Sequence, residues 1–304
     1  MAEFYVQILG CGSALPTTRH LSSSQVVGLR EKLYMIDCGE GAQVQLRRMH
    51  LRFTRLNHVF ISHLHGDHCF GLPGLISTLG MLGRKGDLHL YGPPGLDEYL
   101  RPILERFAKG LGFQVVFHIF DPGRSELILE DASVSVRTIP LTHRVPAAGF
   151  LFSEKPKAPH LLREMIDFYQ IPIRCLADIK KGMDYCTPEG EIVPNRRLTR
   201  PAEPPKRYAY CSDTAFRPDN AALIQGVDLL YHEATFLEAD EERANETRHS
   251  TAAQAGEMAR IAGVKQLLIG HFSARYEDEE ALRTEAAAHF PNVLLAKEGL
   301  LVPL

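Results

Sequence analysis

His58-Val59-Phe60-Ile61-Ser62-His63-Leu64-His65-Gly66-Asp67-His68 places four potential metal ligands in its last six residues, directly after an apolar run. The run 58–61 has the β-branched and aromatic residues of a strand. Where a strand ends, the side chains of positions i and i+2 point the same way, so His63 and His65 can chelate one cation. Gly66 then lets the chain turn and present Asp67 and His68 to a second. Two adjacent metal sites follow, which a merely polar loop does not account for. Imidazole nitrogen and carboxylate oxygen suit Zn²⁺ at bonds of about 2.0 to 2.2 Å, and Mn²⁺, Co²⁺ or Fe take the same ligands.

One motif cannot complete two sites, so the remaining ligands must come from distant loops at strand ends. His143 follows the strand-like run 134–139, Asp213 follows Tyr208-Ala209-Tyr210-Cys211, and His271 follows Leu267-Leu268-Ile269-Gly270. All three would lie on one rim. A carboxylate can give one oxygen to each metal, which makes Asp213 the natural bridge between ions roughly 3.5 to 4 Å apart, the separation used for in-line displacement at phosphorus.

Further out, runs at 4–9, 33–36, 115–120, 229–231 and 293–295 read as strands beside 58–61, 134–139 and 267–269. Helical spacing occurs at 72–82, 97–107, 251–261 and 279–290. Strands and helices interleave from start to finish, which predicts an α/β fold of sheets covered by helices. The 304 residues suffice for one large or two modest domains, and 45% apolar with 23% charged residues is ordinary globular composition.

No apolar run approaches the roughly 20 residues of a membrane span, and the start MAEFYVQILG lacks the basic and apolar segments of a signal peptide, so a cytoplasmic protein without membrane contact is expected. The six cysteines form no CxxC pair and are expected as free thiols. A net charge of −3 makes any nucleic-acid contact local. The stretch 153–206 is rich in Pro, Lys and Arg and lacks strand alternation, which predicts an insertion. Its bases, among them Lys155, Arg163, Arg174, Lys180 and Arg196, outnumber its acids, as a locally basic arm on a mildly acidic body would.

The HxHxDH motif, followed by His143, Asp213 and His271, resembles the metallo-β-lactamase superfamily. Local words narrow the likeness: Asp37-Cys38-Gly39-Glu40-Gly41, Ser212-Asp213-Thr214, His232-Glu233-Ala234-Thr235-Phe236, His249-Ser250-Thr251 and Gly270-His271-Phe272-Ser273-Ala274-Arg275-Tyr276 are similar to the ribonuclease Z family, in its short form. That resemblance implies one domain over 1–304, a four-layer αβ/βα sandwich with metals at one edge. It implies two Zn²⁺ per chain, one held by His63, His65 and His143, the other by Asp67, His68 and His271, with Asp213 shared. It further implies that the insertion is a flexible arm reaching across a homodimer to grip precursor tRNA. The activity implied is endonucleolytic removal of the 3′ trailer, leaving a 3′-hydroxyl on the tRNA and a 5′-phosphate on the trailer.

A phosphodiester resists attack because its anionic oxygens repel the nucleophile, so the site must neutralise charge and activate water. Asp67 can orient that water and accept its proton while remaining a ligand. His249 is the candidate acid for the leaving ribose oxygen, with Glu233 orienting its imidazole. Two stretches depart from the family pattern. Pro16-Thr17-Thr18-Arg19-His20-Leu21 stands where relatives read Pro-x-Lys-x-Arg-Asn, and Ile171-Pro172-Ile173-Arg174-Cys175-Leu176 stands where their arm carries Gly-Pro. The alternative function is a hydrolase of small phosphodiesters, esters or lactones on the same fold, which would not need the arm.

Overall fold

The computed structural model describes residues 3–15 and 17–304. The chain divides into two compact units, one running to Ser153 and resuming over Lys206–Leu304, the other Glu154–Pro205.

In the larger unit β1 (Phe4–Gly10), β2 (Ser24–Leu29), β3 (Lys32–Ile36), β4 (Leu56–Phe60), β5 (Leu88–Gly92) and β6 (Val115–Ile119) pair in sequence order. A second sheet begins with β7 (Leu127–Glu130), β8 (Val134–Pro140) and β9 (Ala148–Glu154). The smaller unit holds β10 (His160–Leu161), β11 (Tyr185–Cys186), β12 (Ile192–Val193) and β13 (Thr199–Arg200). After it, β14 (Arg207–Cys211), β15 (Leu229–Glu233), β16 (Leu267–Gly270) and β17 (Val293–Leu295) complete the second sheet in the order β17-β16-β15-β14-β9-β8-β7, and β18 (Leu301–Pro303) joins the free edge of β1. The run β3 to β6 is parallel, as is β14 to β17.

Helices α1 (Ala42–Arg48), α2 (Gly66–Cys69), α3 (Leu72–Met81) and α4 (Leu96–Phe107) follow strands of the first sheet. The smaller unit contributes α5 (Arg163–Phe168), α6 (Ile173–Lys180) and α7 (Asn195–Leu198), and α8 (Glu241–Thr247), α9 (Ala252–Ala262) and α10 (Glu280–His289) belong to the second half. Leu46, Leu75, Ile76, Leu79 and Leu100 from α1, α3 and α4 pack against Val26, Met35 and Val59 on the outer face of the first sheet. Tyr34, Phe60, Phe150, Phe152 and Tyr208 fill the space between the sheets, and Ala255, Ala259, Leu282 and Ala286 of α9 and α10 cover the second. This is the expected four-layer αβ/βα sandwich. Helices α9 and α10 approach so closely at Gly256 that a Cβ there would lie 2.4 Å from the Ala286 carbonyl oxygen, so alanine at this position would push the layer apart.

The strand and helix expectations hold to within a residue or two. Unpredicted in the larger unit were β2, β5, β7, β9 and β18; β2 (Ser-Gln-Val-Val-Gly-Leu) and β9 (Ala-Gly-Phe-Leu-Phe-Ser-Glu) are buried along almost their whole length, yet Ser, Gln and Gly interrupt their apolar runs. At Gly66 the chain makes a turn of helix rather than an open turn.

The smaller unit is not structureless. Ile171, Ile179, Tyr185, Val193 and Leu198 form its core, and Pro172, in the stretch where relatives carry Gly-Pro, is the N-cap of α6 with extended backbone. Between Glu154 and Pro205 nine bases face eight acids, a surplus of one, so positive charge here is patchy, as at Arg196, Arg197 and Arg200.

Candidate metal centre

Parallel strands end together, and the loops after β3, β4, β14, β15 and β16 meet on one edge of the larger unit. Four residues there hold left-handed backbone without being glycine: Asp37 at φ 55°, Asp213 at φ 55°, Arg248 at φ 57° and His271 at φ 59°. Such conformations cost on the order of 1 kcal/mol each and persist where surrounding contacts over-determine them.

Four ligand atoms converge on one point. His63 Nε2 and His65 Nδ1 are 3.0 Å apart, His143 Nε2 is 3.3 Å from His65 Nδ1, and Asp213 Oδ2 is 3.5 Å from His63 Nε2 and 3.8 Å from His143 Nε2. Bonds of about 2.0 to 2.1 Å in a tetrahedron require ligand separations of about 3.3 Å. A second set lies beside it. His68 Nε2 is 3.3 Å from Asp67 Oδ2 and 3.2 Å from Asp213 Oδ1, and His271 Nε2 is 3.7 Å and 3.2 Å from the same two oxygens. The two oxygens of Asp213 thus face the two sets.

The donors suit cations. His68 Nε2 and His271 Nε2 are buried without a hydrogen bond among the described residues, although Asp213 Oδ1 lies 3.2 Å from each. A buried nitrogen lacking a partner is costly in an apoprotein and apt as a ligand. Burial holds the His63, His65 and His143 pKa values below the usual histidine range, keeping them in the neutral form that binds metal. For His68 burial acts the same way, but Asp213, Asp67 and Asp37 overturn it and draw a proton onto the ring where a cation is called for.

A second set of contacts aims these rings. His68 Nδ1 donates to Asp37 Oδ2 at 2.7 Å, and the Asp37 carboxylate also accepts from Ser62 N–H, Ser62 Oγ and Tyr210 Oη at 2.7 to 2.9 Å. With its hydroxyl proton given to Asp37, Ser62 Oγ accepts from His63 Nδ1 at 3.0 Å. His143 Nδ1 donates to the Arg248 carbonyl at 3.1 Å. His271 Nδ1 donates to Thr235 Oγ1 at 2.9 Å, whose hydroxyl donates to Glu233 Oε2 at 2.6 Å. Every one of these bonds leaves Nε2 bare toward the ligand cluster, the arrangement that second partners impose on metal-binding histidines.

Glu233 is fully buried and accepts from Thr214 N–H, Ser250 N–H, Thr235 Oγ1 and His249 Nδ1, the last at 3.0 Å. Burial disfavours a charged His249, but the Glu233 carboxylate reverses this and raises its pKa to about 9. His249 lies over the ligands, with ring centroids 4.9 Å from His143 and 5.4 Å from His271. Its position just before the Thr251 N-cap of α9 also serves the helix start: Thr251 and Gln254 form a capping box.

The early loop reaches this centre too. Ala14 N–H donates to Asp67 Oδ2 at 2.8 Å. Arg19 donates to the Tyr276 and Glu277 carbonyls, and His20 bridges Glu279 and Glu298, so the loop is anchored where the family's Lys and Asn are missing. Pro16 of that loop lies outside the described residues.

All nine residues singled out from the sequence stand together here. Asp37, Ser62, Thr235 and Arg248 were missed. Asp37 and Thr235 sit inside the quoted family words and Ser62 inside the opening motif, each just after a strand, where a buried polar residue beside candidate ligands is legible. Arg248 acts through a main-chain carbonyl, which no side-chain pattern reveals.

Across known proteins, the chain is 63% identical over 300 residues to a ribonuclease Z of Parabacteroides distasonis, covering 99% of each chain. It is 60% identical over 304 residues to a ribonuclease Z of Bacteroides fragilis, covering all of both. Residues 4–141 match the family model of anti-Pycsar protein Apyc1, less than half the chain. Among solved structures, the short form of human tRNase Z superposes with a TM-score of 0.70 at 26% identity, covering 99% of this chain and 100% of that one.

Proposed function

The chain belongs to the ribonuclease Z family and is a tRNA 3′-processing endoribonuclease, and from that premise we propose that it holds two zinc ions and cuts precursor tRNA by hydrolysis, leaving a 3′-hydroxyl on the tRNA and a 5′-phosphate on the trailer. The observation that carries this reading is Asp213, with Oδ2 turned to His63 and His143 and Oδ1 to His68 and His271. His63, His65 and His143 would hold one ion, Asp67, His68 and His271 the other, and Asp213 both. When bound, zinc supplies positive charge that acidifies water and neutralises phosphoryl oxygens.

The chain's own residues complete the chemistry. Asp67, held by the Ala14 N–H, orients the attacking water and takes its proton as the new P–O bond forms. The bond to the ribose 3′-oxygen then breaks, and His249 delivers a proton to that oxygen. Glu233 fixes the His249 ring through Nδ1 and leaves Nε2 to act.

In this reading the protein works in the cytoplasm as a homodimer, and the unit Glu154–Pro205 of one protomer grips the body of tRNA bound by its partner. Support comes from the family likeness and from the exposed Phe168, Ile173, Arg196 and Arg197 of that unit. No helix of the described residues is long and apolar enough to cross a membrane. The test is incubation of the zinc-loaded protein with a 3′-extended precursor tRNA and mapping of the cut ends. Hydrolysis of small phosphodiesters without cleavage of the precursor would favour the small-substrate alternative.

A further inference from the structure

A groove of about 490 Å³ opens beside His143, walled by Pro122, Gly123, Val145, Arg144 and Arg248. Two guanidiniums stand in it, and they differ. Arg248 is committed to the protein: it sits in left-handed backbone at φ 57°, its carbonyl accepts from His143 Nδ1, and its Nη1 donates to the His143 carbonyl at 2.8 Å. Arg144 has no hydrogen bond or ion-pair partner among the described residues and is exposed. Next to His143 in the chain, it lies close enough to act on two groups of the centre. Burial is the main reason the His65 pKa is low, and the Arg144 charge adds to it; the same charge works against the raised pKa of His249.

An unpartnered cation at the rim of a cation-binding centre is repelled by what that centre binds. Folding gains nothing from it, so its partner is sought among anions brought by the substrate. An RNA strand brings one phosphate per nucleotide, and guanidinium matches phosphate through a planar fork of donors. Arg144 follows His143, whose ring centroid lies 4.9 Å from that of His249; with His249 protonating the leaving 3′-oxygen as read above, the phosphate in the reach of Arg144 lies on the tRNA side of the cut.

We propose that Arg144 is a substrate-binding residue that holds the phosphodiester one nucleotide 5′ of the scissile bond, in a subsite whose wall is built by Arg248. This rests on the tRNA-cleaving reading above. It makes Arg144 a reader of RNA, as opposed to a small phosphodiester with a single phosphate.

The test compares the wild type with Arg144→Gln, each loaded with zinc, on precursor tRNA carrying either a natural linkage or a neutral methylphosphonate at that one position. Arg144→Gln is expected to keep its zinc and thermal midpoint and to raise KM on the natural precursor on the order of 10-fold, the worth of one charge-assisted hydrogen bond. The loss on bis-p-nitrophenyl phosphate should be much smaller. The methylphosphonate should cost the wild type a similar factor and cost Arg144→Gln little more. Wild-type KM in the variant, loss of zinc, equal losses on both substrates, or a methylphosphonate penalty that adds in full to the variant's would each overturn the assignment. If the wild type hydrolyses the small diester but does not cut the natural precursor, the underlying reading fails first and the subsite falls with it.

Discussion

Asp37 Oδ2 accepts a 2.7 Å hydrogen bond from His68 Nδ1, in a pocket where neither side chain is exposed to solvent. The same carboxylate takes Tyr210 Oη from the opposite sheet, so the aim of His68 depends on both halves of the sandwich.

Replacing Asp37 should therefore weaken metal binding without removing a ligand. Elemental analysis of the wild type is expected to give two zinc ions per chain, and Asp37→Asn should lower zinc affinity by about 10-fold to 100-fold, as lost partners of metal ligands typically do. Chelator competition measures this. A variant that holds both ions as tightly as the wild type would show that His68 needs no carboxylate behind it.

His249 should act on the leaving oxygen and not on the metals: it groups with Asp213 and His271, but the two ligand sets described above are complete without it, and Glu233 holds its Nδ1 at 3.0 Å. His249→Ala should retain both zincs and lose about 10² to 10⁴ in precursor cleavage. Bis-p-nitrophenyl phosphate should lose far less, because p-nitrophenolate departs without a proton. Equal losses on the two substrates would assign His249 to holding the phosphate, and a loss of zinc would make it a ligand.

His20 lies 3.1 Å from Glu279 Oε1 and 3.1 Å from Glu298 Oε2. The Glu298 hydrogen bond outweighs burial and raises the His20 pKa. A raised folded pKa gives stability that is fully present below the unfolded value of about 6.5 and is lost as pH rises through the folded pKa. The difference in melting temperature between wild type and His20→Gln should be about 2 °C near pH 6, for roughly 1 kcal/mol, and should shrink toward pH 9. A gap that stays constant over that range would mean the ring is neutral in the fold.

The role of the unit Glu154–Pro205 can be tested by excision. Ser153 and Arg207 are paired across β9 and β14, so a short Gly-Ser linker can replace 157–203 without straining the sheet. Precursor-tRNA binding should weaken and its salt dependence flatten as fewer counterions are released. Hydrolysis of bis-p-nitrophenyl phosphate should survive. Loss of both activities in a folded variant would mean that this unit shapes the metal centre.

Much of the molecule is legible in the order of its residues. The candidate ligands His63, His65, Asp67 and His68 declare themselves because strand alternation and a one-turn helix are local, and His143, Asp213 and His271 because each follows an apolar run. Helices α3, α4, α9 and α10 appear through their 3.6-residue spacing. Strands β2 and β9 do not, since both are covered on both faces and show no alternation, while Ser, Gln and Gly interrupt their apolar runs. The smaller unit escaped as well, because strands of two residues leave no period. What tertiary structure alone decided is the surroundings of the ligands. Asp37 meets a histidine 31 positions away and a tyrosine 173 positions away, the Arg248 carbonyl meets His143 across 105, and Arg144 has no hydrogen-bond or ion-pair partner among the described residues. Pairings of this kind depend on which loops the two sheets bring to one edge, and distance through space leaves no mark on spacing along the chain.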